Sequence, residues 1–225
     1  MTQERALGSW GSLGSGTHTI LYLHGFLSSP ASSKVTALAR GAAEWNAAEG
    51  EARGIRFEVA APDLNVPPRL VDEYLRALAA TYPGERMTIV GSSLGGFYAG
   101  RLANITGAPV VLLNPCLNPW AFVQSETGEQ TIFGTERRIS VAEHFAEDFR
   151  SLADAVSPVP TALERTLAIL STADEVLDWR LAWQALRGAG IVLSAGDDHR
   201  ISRFAAFVPE ILRFAAPNHA ANESR

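Results

Sequence analysis

The chain has 225 residues, of which 47% are hydrophobic and 19% charged, a composition typical of folded globular proteins and not of disordered or fibrous ones. Its 24 acidic residues outnumber its 19 basic ones, which disfavours nucleic acid or an anionic membrane surface as a partner. A single cysteine, Cys116, excludes an intramolecular disulfide and a thiolate metal cluster, and is expected to be a small buried apolar residue. We expect a cytoplasmic protein without membrane insertion, because the N-terminus lacks signal-peptide features and no apolar stretch reaches about 18 residues.

The two ends of the chain differ from its centre. Residues 1–17 contain a run rich in Gly and Ser at 8–17 and are predicted to form a flexible leader. Residues 217–225 are predicted to form a frayed tail. Between them, residues 18–216 show no linker and no change of composition, so we expect one domain.

Short apolar runs alternate with helical segments along this domain. In the helical segments apolar residues recur every three or four positions, as at Leu70, Val71, Tyr74, Leu75 and Leu78. The short runs are continuously apolar, which is typical of strands covered on both faces. They lie at 19–23, 55–60, 86–90, 109–113, 166–170 and 190–194. We therefore predict an α/β fold with a mostly parallel sheet of about six strands and helices on both faces.

One segment, 114–140, interrupts this alternation. It is too long for a tight connection and contains several Pro and Gly residues, so we predict a short cap-like insertion. Its aromatic residues Trp120 and Phe122 are candidates for a substrate-binding wall, together with Leu27 after the first strand. An alternative of equal weight is that these aromatic residues pack within a fixed lobe.

The residues that follow each predicted strand carry most of the functional information, because ligands bind beyond the carboxyl ends of parallel strands. The third strand continues into Gly91-Ser92-Ser93-Leu94-Gly95, a Gly-x-Ser-x-Gly motif before a helical segment. Such a motif makes a sharp turn that exposes the serine at a helix N-terminus, and side chains at the flanking positions Gly91 and Gly95 would collide with backbone. Ser93 is therefore the candidate nucleophile. The alternatives are a simple Gly-rich turn or a phosphate cradle.

Two later strand ends supply a candidate base and a candidate acid. His199 follows the last strand in a loop rich in Gly and Asp, where a core role is not expected. Asp174 is the first acidic residue after the fifth strand and is chosen as the group that orients the histidine. Glu175 is adjacent, and Asp178 is better explained as a helix cap. The chain order Ser93, Asp174, His199 is that of the α/β-hydrolases.

The backbone N–H groups of Phe26 and Leu94 are the candidate oxyanion-hole donors, with Leu27 as a substitute donor. His24 is predicted to hold the shape of the loop after the first strand. The other histidines are expected to lie outside the site, His18 and His219 in the terminal tails and His144 at the solvent-facing start of a helix.

These motifs resemble the YqiA-like esterases, a family of small bacterial α/β-hydrolases. The similarity runs from about residue 20 to 212 and includes the segments at 21–26 and 91–98, the pair Asn114-Pro115 and the acidic segment 174–178. It implies an α/β-hydrolase fold with a minimal cap and an esterase of short acyl esters, with acyl-CoA thioesters as a second class. The loop 196–199 departs from the family pattern, since Asp197 and Asp198 stand where a second glycine and one acidic or amide residue are expected. The extra carboxylate puts access to the histidine in question.

The sequence thus predicts a serine esterase that acts on a small-molecule ester or thioester and needs no metal or organic cofactor. His199, oriented by Asp174, would take the proton of Ser93 as the hydroxyl attacks the carbonyl, and an acyl-enzyme would follow. Two alternatives stay open: a non-catalytic binding or interaction member of the same fold, and an acyltransferase. The first is disfavoured because such proteins usually lose a residue of the triad or of the turn.

Overall fold

The computed structural model describes residues 16–82 and 84–216. The expected leader and tail therefore lie almost wholly outside the described residues, as does His219. The domain begins slightly earlier than the sequence suggests, because Thr17 is already the first residue of a strand and pairs with Arg56. The boundary of the leader is corrected accordingly.

The strands are β1 (Thr17–Leu23), β2 (Arg56–Ala60), β3 (Met87–Ser92), β4 (Val110–Leu113), β5 (Gly128–Thr131), β6 (Arg138–Val141), β7 (Thr166–Ser171) and β8 (Gly190–Ser194). The α-helices are α1 (Ser33–Trp45), α2 (Glu51–Arg53), α3 (Pro68–Ala80), α4 (Leu94–Thr106), α5 (Trp120–Ser125), α6 (Phe145–Ala155), α7 (Trp179–Ala185) and α8 (Phe204–Ala215). A π-helical segment, Asn46–Gly50, joins α1 to α2, and 3-10 turns at Gly84–Arg86 and Leu163–Arg165 precede β3 and β7.

Six strands form one sheet in the order β2-β1-β3-β4-β7-β8, and every neighbouring pair is parallel. All six predicted apolar runs are strands of this sheet, which confirms the predicted α/β fold. The chain moves outward from β1 to β2 and then returns to the other side of β1 with β3. The order of the strands therefore reverses between β1 and β3, and a crevice at their carboxyl ends is the expected ligand site.

Side chains of successive strand residues enter two separate cores. In β1, Leu21 and Leu23 pack with α3, α4 and α6 on one face of the sheet, whereas Ile20 and Tyr22 pack with α1 and α8 on the other. This alternation follows from the two-residue period of a strand. Because helices cover both faces, both sets of strand residues are apolar, which explains the continuous apolar runs of the sequence.

The segment 114–140 contains α5 and most of an antiparallel hairpin formed by β5 and β6. It follows β4, so it leaves the sheet at the carboxyl edge, beside the end of β3. The hairpin is the only antiparallel pairing among the described residues. This placement puts the insertion over the same edge as Ser93.

His18 is not in a flexible tail, as the sequence suggested, but is a buried residue of β1 with 4% of its surface exposed. Its Nε2 lies 2.9 Å from the hydroxyl of Thr88 in β3, and its ring packs edge-on against Phe57 in β2. The strand begins two residues before its apolar run, so the burial of His18 was invisible to the pattern. Burial lowers the pKa of His18 from its ordinary 6.5 to about 4.

His18 should make the folded state sensitive to mild acid. Since its pKa is lower in the folded than in the unfolded chain, its contribution to stability is complete above pH 6.5 and is lost as the pH falls towards 4. The complete shift corresponds to a decrease of about 3 kcal/mol in the free energy of unfolding. In urea titrations of the wild type, the free energy of unfolding should therefore be lower at about pH 4.5 than at about pH 7. The variant His18→Gln should show a smaller difference between the two pH values.

The matched control is His144→Gln, because the His144 side chain is 68% exposed. This variant should keep the pH dependence of the wild type. An unchanged pH dependence in His18→Gln would contradict the assignment of the acid sensitivity to the buried imidazole.

Candidate active site

Ser93 occupies a sharp turn between β3 and α4. Its φ of 53° and ψ of −119° are rare for a residue with a side chain. The turn is fixed from both sides, because the Ser93 N–H donates to the carbonyl of Leu113 at 2.9 Å and its own carbonyl accepts from Gly96 and Cys116 at 2.8 and 3.0 Å. The hydroxyl is thereby held at the first turn of a 13-residue helix, where negative charge is favoured.

Unusual backbone conformations are concentrated at this edge of the sheet. Among the described residues, four other than glycine have positive φ, and each follows the carboxyl end of a strand: Leu27, Ser93, Asn114 and Ile201. Such conformations persist only where the surrounding structure enforces them, and they cluster at functional sites. Strained backbone conformations are therefore concentrated at the edge of the sheet that carries Ser93.

Both flanking glycines of the motif are enclosed by other atoms. A Cβ at Gly95 would lie 2.0 Å from the carbonyl oxygen of Leu23, and a Cβ at Gly91 would lie 2.5 Å from the Cβ of Ala99. These distances are far shorter than any van der Waals contact. Glycine at 95 therefore lets α4 pack closely against the end of β1, and glycine at 91 lets the same helix pack closely against β3.

The three candidate catalytic side chains form a continuous hydrogen-bonded chain. Ser93 Oγ lies 2.9 Å from His199 Nε2, and His199 Nδ1 lies 2.8 and 3.0 Å from the two carboxylate oxygens of Asp174. Residues separated by 106 and 25 positions in the sequence thus meet at one point. The Asp174 side chain is 1% exposed and that of His199 is 14% exposed, so the pair is shielded while the imidazole stays reachable.

The environment of Asp174 keeps its carboxylate ionised. Burial opposes ionisation, but hydrogen bonds from His199 and from the N–H groups of Leu177 and Val176 outweigh it, so the pKa of Asp174 lies below its ordinary value. Asp178, by contrast, caps α7 by accepting from the Arg180 N–H at 3.0 Å. Asp174 and not Asp178 therefore contacts the imidazole.

The loop that carries His199 is held by neighbouring carboxylates. Glu175 accepts a hydrogen bond from the His199 N–H at 2.9 Å. Asp197 is buried and accepts from the Ser194 hydroxyl at 2.9 Å, and Asp198 accepts from the N–H and hydroxyl of Ser202. Whichever of the two is the extra carboxylate, no hydrogen bond joins its side chain to the His199 imidazole.

The loop after β1 lies against Ser93. A Cβ at Gly25 would be 3.2 Å from the Cβ of Ser93, so the loop passes directly beside the serine. Within the described part of the chain, the backbone N–H groups of Phe26 and Leu94 donate no hydrogen bond. These two groups, which follow β1 and Ser93 respectively, are available to an oxyanion.

His24 holds this loop in shape. Its Nδ1 lies 2.8 Å from the Gly25 carbonyl and its Nε2 accepts from the Leu64 N–H at 2.9 Å, which places the ring hydrogen on Nδ1. Nε2 also lies 3.7 Å from Asp63. His24 therefore joins the loop after β1 to the loop after β2, and its ring has no hydrogen bond to Ser93.

A small apolar cavity of about 40 Å³ is lined in part by Phe26 and Leu94. This volume is well below the roughly 300–1,000 Å³ typical of pockets for drug-sized ligands, so the cavity suits a small group. Besides those two residues its apolar lining includes Leu27, Leu64, Val66, Ile139, Val141 and Phe145. A larger groove of about 370 Å³, between α1 and α8, contains none of the predicted site residues.

Of the predicted wall residues, Leu27 lines this cavity and Trp120 and Phe122 do not. Phe122 packs edge-on against Phe26 with ring centroids 5.2 Å apart, and Trp120 packs against the core. The loop after β2 and strand β6 also line the cavity, although no sequence motif pointed to them. The loop after β2 carried a usable signal, because it too follows the carboxyl end of a strand.

The β5–β6 hairpin is attached to both loops that frame the cavity. The N–H of Phe133 at its tip donates to the Leu27 carbonyl at 2.8 Å, and Arg137 forms a 2.7 Å ion pair with Asp63. Arg200, next to His199, lies over the Phe133 ring at 6.0 Å. The hairpin therefore bridges the loop after β1, the loop after β2 and the loop of the histidine.

The described residues contain no cluster of three or more His, Cys, Asp or Glu side chains suited to hold a metal ion. In the same part of the chain no helix is both long and apolar enough to cross a membrane.

Cys116 is buried, and burial raises the pKa of its thiol to about 11. It is therefore a poor candidate for a reactive thiolate.

Comparison with known proteins adds to this geometry. The model of an uncharacterised protein family, UPF0227, matches residues 19–216. The chain belongs to UPF0227. This confirms the resemblance to the YqiA-like family drawn from the motifs.

Two UPF0227 relatives illustrate the range of similarity. A UPF0227 protein of Serratia proteamaculans (strain 568) is 26% identical over 200 residues, which cover 88% of this chain and 97% of the relative. One of Shewanella sp. (strain ANA-3) is 30% identical over 127 residues, which cover 56% of this chain and 63% of the relative. The match to the Shewanella protein thus spans less than two thirds of its length.

Solved structures similar to this UPF0227 chain share its fold at low sequence identity. Est1E from Butyrivibrio proteoclasticus has a TM-score of 0.65 at 12% identity, over 91% of this chain and 90% of that one. An esterase domain from Rhodothermus marinus has a TM-score of 0.57 at 20% identity, over 87% and 84%. These similarities establish the α/β-hydrolase fold.

Proposed function

We propose that this UPF0227 protein is a serine esterase that hydrolyses small acyl esters, and acyl thioesters as a second class, with Ser93, His199 and Asp174 as its catalytic triad. The observation that carries the proposal is the unbroken hydrogen-bonded chain from Asp174 through His199 to Ser93. The strained turn beneath the serine and the unpaired N–H groups of Phe26 and Leu94 support it.

In the first half of the reaction an acyl-enzyme forms. His199 Nε2 takes the proton of Ser93 as Oγ attacks the ester carbonyl, while Asp174 holds the imidazole in the productive tautomer. The N–H groups of Phe26 and Leu94 stabilise the tetrahedral oxyanion, each contributing about 3 kcal/mol to the barrier reduction. The carbon–oxygen or carbon–sulfur bond then breaks, and His199 protonates the leaving alcohol or thiol.

In the second half water releases the acid. His199 takes a proton from a water molecule that attacks the acyl carbonyl, the bond to Ser93 Oγ breaks, and the proton returns to Oγ. Every proton in this cycle is carried by His199. Neither a metal nor an organic cofactor takes part in these steps.

The acyl group is assigned to the apolar cavity beside Phe26 and Leu94. Its small volume and its aliphatic and aromatic lining favour a short, uncharged acyl chain. The names of the structurally similar proteins, an Est1E and an esterase domain, agree with ester hydrolysis.

The proposal is tested with p-nitrophenyl esters and CoA thioesters of two to sixteen carbons, beside a fluorophosphonate probe read by mass spectrometry. The wild type should turn over the short members fastest and should carry one adduct, on the peptide that contains Ser93. Absence of both turnover and adduct in a folded preparation would overturn the proposal and favour a binding protein. A higher product yield with added alcohol or thiol acceptors would favour an acyltransferase.

A further inference from the structure

Asn114, at the end of β4, is a buried polar residue to which the proposed mechanism gives no role. It is 3% exposed and has a φ of 40°, a conformation that asparagine tolerates better than most residues. Its backbone N–H donates to the Ile169 carbonyl of β7 at 3.1 Å, so the residue continues the sheet beyond the end of β4. This hydrogen bond to β7 fixes the backbone from which the Asn114 side chain extends.

The side-chain amide of Asn114 joins the strand of the acid to the loop of the base. Its Oδ1 accepts from the Ser171 N–H at 2.7 Å, three residues before Asp174. Its Nδ2 lies 2.9 Å from the Ser171 hydroxyl, 3.0 Å from the His199 carbonyl and 3.3 Å from the Asp198 carbonyl. One planar amide thus contacts both of the chain segments that must be aligned for Asp174 to meet His199.

The contacts require an amide and no other group of this size. A backbone N–H on one side needs an acceptor, and two carbonyl oxygens on the other side need a donor. A carboxylate would satisfy the first requirement but would place an oxygen against the two carbonyls. An apolar side chain would leave buried donors and acceptors unpaired.

We infer that Asn114 is a positioning residue that sets the place of His199 relative to Asp174 and Ser93. The inference rests on the proposed function for its kinetic consequence. Glu175 holds the N–H of His199 and Asn114 holds its carbonyl, so the backbone of the histidine is fixed on both sides. Loss of the hydrogen bond from Asn114 would let the imidazole shift. The chemical step would then be slower, while the substrate cavity would be unchanged.

The test compares Asn114→Asp with the matched control Asn104→Asp. Asn104, near the other end of α4 from Ser93, also donates to two backbone carbonyls, those of Ser157 and Val159, and accepts from a backbone N–H, that of Thr161. Asn114→Gly is the second variant, because glycine adopts positive φ freely and leaves room for water. Folded protein is quantified by circular dichroism, and rates are expressed per folded molecule.

We expect Asn114→Asp and Asn114→Gly to lower kcat for a short p-nitrophenyl ester by roughly 10–100-fold with KM changed less than about threefold. Asn104→Asp should keep kcat within about threefold. If both Asn114 variants keep the wild-type kcat, or if Asn104→Asp loses as much, the inference is wrong. A purely structural role would lower the melting temperature without this separation of kcat from KM.

A second measurement does not depend on turnover. In protein labelled with ¹⁵N-histidine, the Nδ1–H signal of His199 should be visible in the wild type and in Asn104→Asp and should broaden or vanish in Asn114→Asp. Absence of turnover in the wild type, or its survival in Ser93→Ala, would reject the proposed function, and this signal would still decide the role of Asn114. An unchanged signal in Asn114→Asp would overturn the inference.

Discussion

Replacement of Ser93 by alanine should lower kcat for a short p-nitrophenyl ester by about 10⁶-fold, because it removes the atom that forms the acyl-enzyme. The imidazole of His199 would lose the hydroxyl that lies 2.9 Å from its Nε2 and would have no nucleophile to activate. The residual rate should still exceed that in water, since the N–H groups of Phe26 and Leu94 remain. Initial rates at high enzyme concentration measure the loss.

The neighbouring serine of the same motif supplies the control. Ser92 is buried at the end of β3, where its side chain is hydrogen-bonded to Tyr22 and not to His199, so Ser92→Ala should retain kcat within about tenfold. Ser93→Ala should also fail to react with the fluorophosphonate probe, whereas Ser92→Ala should react. Ester turnover that survives in pure Ser93→Ala would show that another group is the nucleophile.

Asp174→Asn should lower kcat by about 10⁴-fold while leaving the fold intact. The asparagine is nearly the same size, but its amide can present an N–H to His199 Nδ1, which favours the tautomer with its hydrogen on Nε2. That nitrogen then cannot accept the proton of Ser93. The low pKa of Asp174 means that the wild-type carboxylate stays ionised through the neutral range, so the loss should persist there.

Asp178→Asn is the matched comparison, four positions along the same acidic segment. Asp178 caps α7 through the Arg180 N–H, and asparagine is an equally good cap, so kcat and stability should change little. Steady-state kinetics of the two variants, with melting temperatures alongside, separate the roles. Equal losses in both, or a loss only in Asp178→Asn, would reject Asp174 as the triad acid.

The hairpin shows where local pattern stops being informative. The sequence marks 114–140 as an insertion and its aromatic residues as a candidate wall, yet Phe122 lies against Phe26 and the cavity is lined instead by Ile139 and Val141 of β6. Which face of an insertion meets the site depends on contacts such as Arg137 with Asp63, 74 residues apart. Periodicity within a segment carries no information about such a partner.

Two buried polar residues also owe their surroundings to distant parts of the chain. His18 precedes the apolar run of β1, and only its pairing between β2 and β3 buries it. Asn114 looks like a turn residue before Pro115, and only the sheet order brings it to Ser171 and His199, 57 and 85 residues away. Both roles are properties of neighbouring strands and not of the residues beside them in the chain.

The sequence by itself determined the six parallel strands, the helices on both faces and the residues that follow the strands, Ser93, Asp174 and His199 among them. It could do so because burial on both faces leaves continuous apolar runs, and because parallel strands bring their carboxyl ends to one edge. Only the tertiary structure decided the distances between those residues, the lining of the cavity, and the groups that hold the histidine loop. These depend on long-range packing and hydrogen bonds, whose partners no local pattern specifies.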